Sequence, residues 1–394
     1  MNRSSKFVVV LFAVCASATL LLTTTANTLG GQNTDAANSF IVANSPAAAV
    51  PGWRQSNASG FGTVNNNMVS ALQVFNGQFY ATTWNNAGAQ VWRTSDGQAW
   101  SQFTPGAPYT TTVIYDAITF DSYLYIGTYL DTGGEIWRTN GTTWERVATG
   151  GLGDANNLTF SAFAVYSNTL YAATGNLTTG VEIWRSMTGN SGSWTQVNTD
   201  GFGGGACWDS ITMDTFGGYL YVGIGRSTLA ELWRTNNGTT WNPVFTNGLG
   251  NANNTFVSSM AEYNGQFYIG LRNTVNSGNI YGTTNGTTFN PITTNGFNNP
   301  NNTRTYGLYV SGNTLYIVFS NYATGAEVWK TDGTGWWTRI LQYGWGDANN
   351  KNADYFDKAM VMFNNSLYIG TGNDVTGGQI WQMLPQLYLP LIMR

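Results

Sequence analysis

The chain has no histidine in 394 residues. That zero excludes Ser-His-Asp and Cys-His nucleophile systems. It also excludes ordinary zinc and copper centres. Any chemistry must come from carboxylates, tyrosine, arginine or an oxygen-bound metal. Cysteine is almost as scarce, with Cys15 and Cys207 the only two. If Cys15 leaves with a leader, one thiol remains and no intramolecular disulfide forms. Stability must then come from packing, for which about 370 residues suffice. Only 9% of residues are charged, and the net charge is −4. No basic stripe exists, which argues against nucleic acid as a partner. Lysine is confined to Lys6, Lys330, Lys351 and Lys358, which argues against anionic membranes. Asn, Thr, Ser and Gly take the place of charge, as in secreted β proteins that bind carbohydrate surfaces.

The apolar run Phe7–Leu22 is 16 residues, short for a membrane span. Arg3 and Lys6 precede it, and Ala18 or Ala26 suits cleavage. Residues 1–26 therefore read as a secretory signal peptide, which makes the protein secreted or extracellular, in places held at the cell surface, with no transmembrane segment in the mature chain. Residues 27–49, rich in Ala, Asn, Thr and Ser, read as a disordered leader. Residues 384–394 form a tail whose two prolines oppose a helix or a central strand. A sorting signal and a strap packed on the fold are the two readings of this tail.

What fills residues 50–383 is one phrase repeated seven times. Its tyrosine recurs at Tyr80, Tyr125, Tyr171, Tyr221, Tyr268, Tyr316 and Tyr368, at intervals of 45, 46, 50, 47, 48 and 52 residues. In the first full unit, Val69–Phe75, Gln78–Thr83, Ala89–Thr94 and Trp100–Phe103 read as strands a, b, c and d. Asn76-Gly77 between a and b is a strong two-residue hairpin signal. Four short strands at a period of about 45 residues predict an all-β fold, a seven-bladed β-propeller of four-stranded antiparallel blades.

The last unit ends at Trp381-Gln382 without a strand d, while Trp53-Arg54-Gln55 reads as a strand d with no a, b or c. An N-terminal strand at about 52–56 is therefore expected to complete the last blade and close the ring, hiding two sheet edges. Tryptophans recur on strand c (Trp92, Trp137, Trp184, Trp233, Trp329, Trp381) and at the start of strand d (Trp100, Trp144, Trp194, Trp241, Trp337). A residue repeated in every blade serves what every blade needs, so these are expected in packing rather than in a sugar-stacking array. The repeated Glu135, Glu182, Glu231 and Glu327, with Arg93, Arg138, Arg185, Arg234 and Lys330, are expected to form a structural ring of ion pairs.

The strand c–d turns Thr94-Ser95-Asp96-Gly97-Gln98-Ala99-Trp100 and Thr331-Asp332-Gly333-Thr334-Gly335-Trp336-Trp337 resemble the Asp-box, Ser-x-Asp-x-Gly-x-x-Trp, of sialidase-type propellers. The first is one residue shorter, and most other copies carry Asn for Asp, as in Thr235-Asn236-Asn237-Gly238. The layout is also similar to kelch repeats, without their Gly-Gly doublet. The resemblance covers about residues 52–383. It implies a propeller and no particular activity. Kelch-type copper oxidases use histidine ligands, which this chain lacks.

The d-to-a loops repeat a Gly-x-Gly-Asp/Asn-Ala-Asn-Asn phrase at Gly151–Asn157, Gly248–Asn254 and Gly344–Asn350. Asp154 with Asn156, or Asp347 with Asn349, has the oxygens that calcium prefers, and the same residues also make turns unaided. No other cofactor is expected. A site for one ligand should break the sevenfold pattern. The singular residues so selected as ligand-binding are Trp84, Tyr129, Trp208, Asp209, Arg226, Arg272, Arg304 and Asp357. Three functions fit. The first is a non-catalytic, lectin-like propeller with a carbohydrate or cell-surface ligand, its aromatic faces supplying stacking and its Asn, Asp and Arg direction. The second is a sialidase-like glycoside hydrolase, which the resemblance links to an arginine cluster such as Arg226, Arg272 and Arg304. The family's Arg-Ile-Pro start is absent, and its propellers have six blades. The third is a protein-binding adhesion platform. The first is preferred, with no catalytic residue assigned.

Overall fold

The computed structural model describes residues 50–103, 111–206, 209–226, 229–273, 275, 277–353 and 357–385, with the backbone alone for 209–211. Residues 1–49, where a signal peptide and leader are expected, Trp208 and most of the tail lie outside the described residues. Almost every ordered segment is a strand, and helix is limited to single 3-10 turns. Strands of the first unit run Met68–Phe75, Gln78–Trp84, Val91–Thr94 and Ser101–Gln102. They pair antiparallel in that order. The units around Tyr125, Tyr171 and Tyr221 are separate four-stranded sheets of the same order. The remaining units join into larger sheets through single bridges, Met68 to Gly372 and Arg272 to Arg304. Units are numbered 1 to 7 below by their tyrosine.

The hairpin signals act as read. Asn76-Gly77, Asn264-Gly265 and Asn364-Asn365 all have positive φ at both central residues. That is the type I′ turn that matches strand twist, and Asn and Gly tolerate it best. Strand d begins one residue later than expected in unit 1, so Trp100 precedes the ladder rather than opening it.

Each buried core lies between two neighbouring units. Tyr171 and Ala173 of unit 3 pack with Met213 and Val222 of unit 4. Val69 and Phe79 of unit 1 pack with Phe363 and Tyr368 of unit 7. Trp53–Gln55 pairs antiparallel with Trp381–Met383. The invariant tyrosines cross the same boundaries. Four of them reach the glycine of the next unit's c–d turn, where an added Cβ at Gly97, Gly189, Gly238 or Gly286 would fall 2.3, 2.0, 1.9 and 2.1 Å from the hydroxyls of Tyr368, Tyr125, Tyr171 and Tyr221. These turns have Asp-box bonding. Asp96 Oδ1 accepts from the amides of Gln98 and Ala99 and from the Thr94 hydroxyl. Asn237 and Asn285 accept the equivalent pairs of amides.

The expected ring of Glu–Arg ion pairs is not what forms. Each strand-c glutamate accepts from the indole two residues on, Trp137 to Glu135, Trp184 to Glu182, Trp233 to Glu231 and Trp329 to Glu327, at 2.8–3.0 Å, and Glu135, Glu231 and Glu327 ion-pair with Arg146, Arg226 and Arg339 rather than with the strand-c arginines. Alternation decides this. Residues i and i+2 share a face of a strand, whereas the arginine at i+3 points to the other face. On that face Arg93 donates to Gly141 O, Arg138 to Asn190 Oδ1 and Arg234 to Gly286 O, each in the next unit's c–d turn.

Candidate functional site

Five of the d-to-a loops each supply one buried asparagine. Gly60, Gly151, Gly248, Gly296 and Gly344 adopt left-handed backbone, each followed by a left-handed Phe, Leu or Trp. Six residues after each glycine stands Asn66, Asn157, Asn254, Asn302 or Asn350, whose amide donates back to that glycine's carbonyl at 2.8–3.0 Å. The same amide reaches the strand-c acceptor: Asn157 to Glu182 at 2.7 Å, Asn302 to Glu327 at 2.9 Å and Asn350 to Gln379 at 2.9 Å. These five asparagines are almost fully buried. Desolvation still raises the Glu182 carboxyl above its usual range, against the opposing bonds from Asn157 and Trp184. Aromatic rings in the loops stack on strand-c tryptophans, Phe61 on Trp92 at 4.6 Å and Phe297 on Trp329 at 4.5 Å.

The loop opening unit 4 carries Cys207 at the seventh position, where the other five carry Asn. Arg226 performs the missing work. Its Nη2 donates to Gly201 O at 2.6 Å, its Nη1 to Gly205 O at 2.7 Å, and its Nε to Glu231 at 2.5 Å. The side chain is 9% exposed. A residue selected for being singular is thus engaged as a loop support, because one arginine replaces one asparagine.

The other singular residues fall into three groups. Position four after the invariant tyrosine is Trp84, Tyr129, Gly175, Gly225, Arg272, Ser320 and Gly372 in units 1 to 7. This is the inner end of strand b, where each unit abuts strand a of the next: Trp84 bridges to Val113 and Tyr129 to Thr159. Trp84, Tyr115 and Tyr129 gather around buried Met68 and Val113. The indole of Trp84 donates to Asn86 Oδ1 at 3.2 Å, and the Tyr129 hydroxyl to Asp131 at 2.5 Å. Arg272 stands directly opposite Arg304, and the Arg304 guanidinium donates to the Tyr306 hydroxyl and lies over its ring. Asp209 pairs through its backbone with Gly225.

Asp357 is the third group, and sequence reasoning missed its reach. The interval from loop asparagine to hairpin turn is eleven residues at Asn66–Gly77, Asn157–Asn168, Asn254–Gly265 and Asn302–Asn313, but fifteen at Asn350–Asn365. The four extra residues interrupt strand a of unit 7, between Asn352–Ala353 and Met360–Phe363. They let Asp357, at φ 60, accept from Thr212 Oγ1 at 3.0 Å, Met260 N at 3.3 Å and Leu308 N at 3.1 Å. One carboxylate thereby bonds units 4, 5 and 6. Next to it, Lys358 holds down the carboxyls of Asp116 and Asp214. Desolvation outweighs it at both, pushing Asp214 to about 6 and Asp116 upward.

The loop carboxylates read as calcium donors already have partners. Asp154 Oδ1 accepts from Asn156 N, and its Oδ2 from Asn176. Asp347 repeats this with Asn349 and Asn373. Among the described residues, no three His, Cys, Asp or Glu side chains cluster as a metal site.

No known family model matches this chain, and no characterised protein matches its sequence. Its fold is shared. A streptogramin B lyase aligns over 84% of this chain and 96% of its own, at 10% identity and a TM-score of 0.60. The extracellular domain assigned to a one-component system of B. thetaiotaomicron aligns over 83% of this chain, at 17% identity and a TM-score of 0.56. An ancestral GH74 enzyme aligns over 83%, at 13% identity and a TM-score of 0.56. The chain spans 39% and 46% of the last two proteins. These neighbours are propeller-type proteins, and at such identities the likeness establishes the fold alone. The chain therefore has a propeller-type all-β fold. Among the described residues, no helix is long and apolar enough to cross a membrane.

Proposed function

We propose that this chain is a secreted, non-catalytic binding propeller whose ligand is a carbohydrate. In this reading the seven units close into a ring, with Trp53–Gln55 as the outer strand of unit 7. The pairing of that strand with Trp381–Met383 and the shared core of units 7 and 1 support closure. One observation carries the functional reading. The inner end of strand b is glycine or serine in four units and Trp84, Tyr129 or Arg272 in three. Packing alone would repeat there. A single asymmetric ligand would not. The aromatic group of units 1 and 2 suits the apolar face of a pyranose, and Arg272 with Arg304 suits its oxygens. Trp208, Asp209 and Asp357 belong to the same proposed site, with Arg226 as its support.

The test is a glycan array probed with the chain from residue 27, with calcium and again with chelator. Selective binding that Trp84→Ala and Arg272→Ala each weaken at least tenfold supports the reading. A blank array would favour a protein ligand, and calcium-dependent signal would assign the loop carboxylates a cation. The paired arginines also favour recognition of an acidic group, as in a sialidase-like hydrolase. Turnover of fluorogenic sialosides would establish that alternative.

A further inference from the structure

The strand-c arginines of units 1, 2 and 4 are all engaged. Arg93 lies over the Phe103 ring, Arg138 over Tyr123 and Arg234 over Tyr219, and each donates to the c–d turn of the following unit. Arg185 of unit 3 is different. Its side chain makes no hydrogen bond, ion pair or ring contact with any described residue, although its Nη1 comes within 3.6 Å of the Cβ position of Gly238, the turn it would be expected to bond. Its unit has Thr169 where units 2 and 4 have Tyr123 and Tyr219, so no ring holds the guanidinium back.

Arg185 lines a cleft of about 630 Å³ between units 3 and 4. That volume is within the ordinary range of small-ligand sites, about 300–1,000 Å³. Phe202, Trp233 and Trp241 form its apolar wall, with Phe202 stacked on Trp233 at 4.7 Å and edge-on to Trp241 at 5.7 Å. Thr195 and Thr199 also line it, and their hydroxyls have no partner among the described residues. At the boundary of units 7 and 1 the equivalent tryptophan is tied down: Trp100 donates to Ser56 O, and Ser56 Oγ to Gly97 O. Val197 occupies the position of Ser56 in unit 3 and makes no such tie through its side chain.

We infer that this cleft is a second binding site, for a pyranose carrying a carboxylate, such as a uronic acid residue. The guanidinium takes the carboxylate, the threonine hydroxyls take ring hydroxyls, and the aromatic wall takes the C–H face. A charge-assisted bond to an otherwise idle guanidinium makes acidic sugars preferred over neutral ones of equal length. The inference rests on the carbohydrate reading above, but on different residues.

The experiment is a tryptophan-fluorescence titration of the full chain with tetragalacturonate and, in parallel, maltotetraose. Saturable quenching by the uronate, at least tenfold stronger than by the neutral tetramer, is expected. Arg185→Met should weaken uronate binding at least tenfold without shifting Tm, and Thr199→Val severalfold. Val375→Ser, at an exposed position of unit 7 outside both sites, should leave it unchanged. Uronate binding indifferent to Arg185→Met, or equal affinity for the neutral tetramer, would overturn the inference. If Trp84→Ala abolishes sugar binding and Arg185→Met does not, the inner site stands and the cleft falls. If the cleft binds while the array signal ignores Trp84 and Arg272, the reverse holds.

Discussion

At the scale of the residue, small positions do the selecting. Gly238 has φ +76, and a Cβ there would lie 1.9 Å from the Tyr171 hydroxyl. Gly238→Ala therefore combines left-handed strain with a clash and should cost about 2–3 kcal/mol by urea unfolding. Adding Tyr171→Phe should recover part of it, because removing the hydroxyl oxygen removes the nearest atom. A loss that Tyr171→Phe does not reduce would assign the effect to backbone strain alone. Arg226 makes the opposite argument. Its fork bonds two carbonyls of the loop and the carboxylate of Glu231 at once, so Arg226→Lys should fail to rescue Arg226→Ala, which should cost about 3–5 kcal/mol by stranding Glu231.

At the scale of the element, the d-to-a loop is a turn held by one side chain. Asn302 donates to both Gly296 O and Glu327 and accepts from Asn321, in a site with no exposure. Asn302→Ala should cost about 2–4 kcal/mol, since it leaves buried acceptors and a donor unpaired. Urea unfolding checks it, and a cost below about 1 kcal/mol would mean water replaces the amide. Much of the element was legible. The Asn-Gly hairpins, the Asp-box turns and the strand-c tryptophans follow from local stereochemistry, which acts over a few residues. The indole two residues on was legible from alternation, but the loop asparagine that also binds Glu182 and Glu327 was not, because it stands 25 residues away and meets them only after strand and loop have folded. The role of Arg226 had a sequence signal that was passed over: five loops carry Asn at the seventh position and one carries Cys207.

At the scale of the molecule, charges from distant units meet at the inner strands. Asp214 titrates near 6 in the folded chain, above its unfolded value near 4, so the folded state binds the proton more tightly. The sign follows: its contribution is fully present below about pH 4 and is lost as pH rises to about 6. Asp214→Asn should flatten that part of the stability–pH curve and raise stability at pH 7, by at most about 3 kcal/mol. Lys358→Met should act oppositely at neutral pH, because Asp116 and Asp214 then keep their burial and lose their cation. The negative charge of Glu262 adds to the penalty at Asp214, which Asp214→Asn relieves and Lys358→Met leaves in place. Closure is tested by deleting residues 50–57. The truncated chain should melt well below the parent, since unit 7 loses its outer strand and Trp100 loses Ser56. An unchanged Tm would refute the closed ring.

The sequence by itself determined the all-β class, the repeat, its four strands and their turns, because each depends on periodicity and on residues a few positions apart. It also marked where the repeat breaks. Tertiary structure alone decided what the breaks do. Arg226 was drawn into a loop, Asp357 was carried by four extra residues to the amides of two other units, and the Arg185 side chain was left without a partner among the described residues, beside an aromatic cleft. The physical reason is that a singular side chain has no local rule to obey. Its partner is whichever neighbour the completed fold brings within about 3 Å.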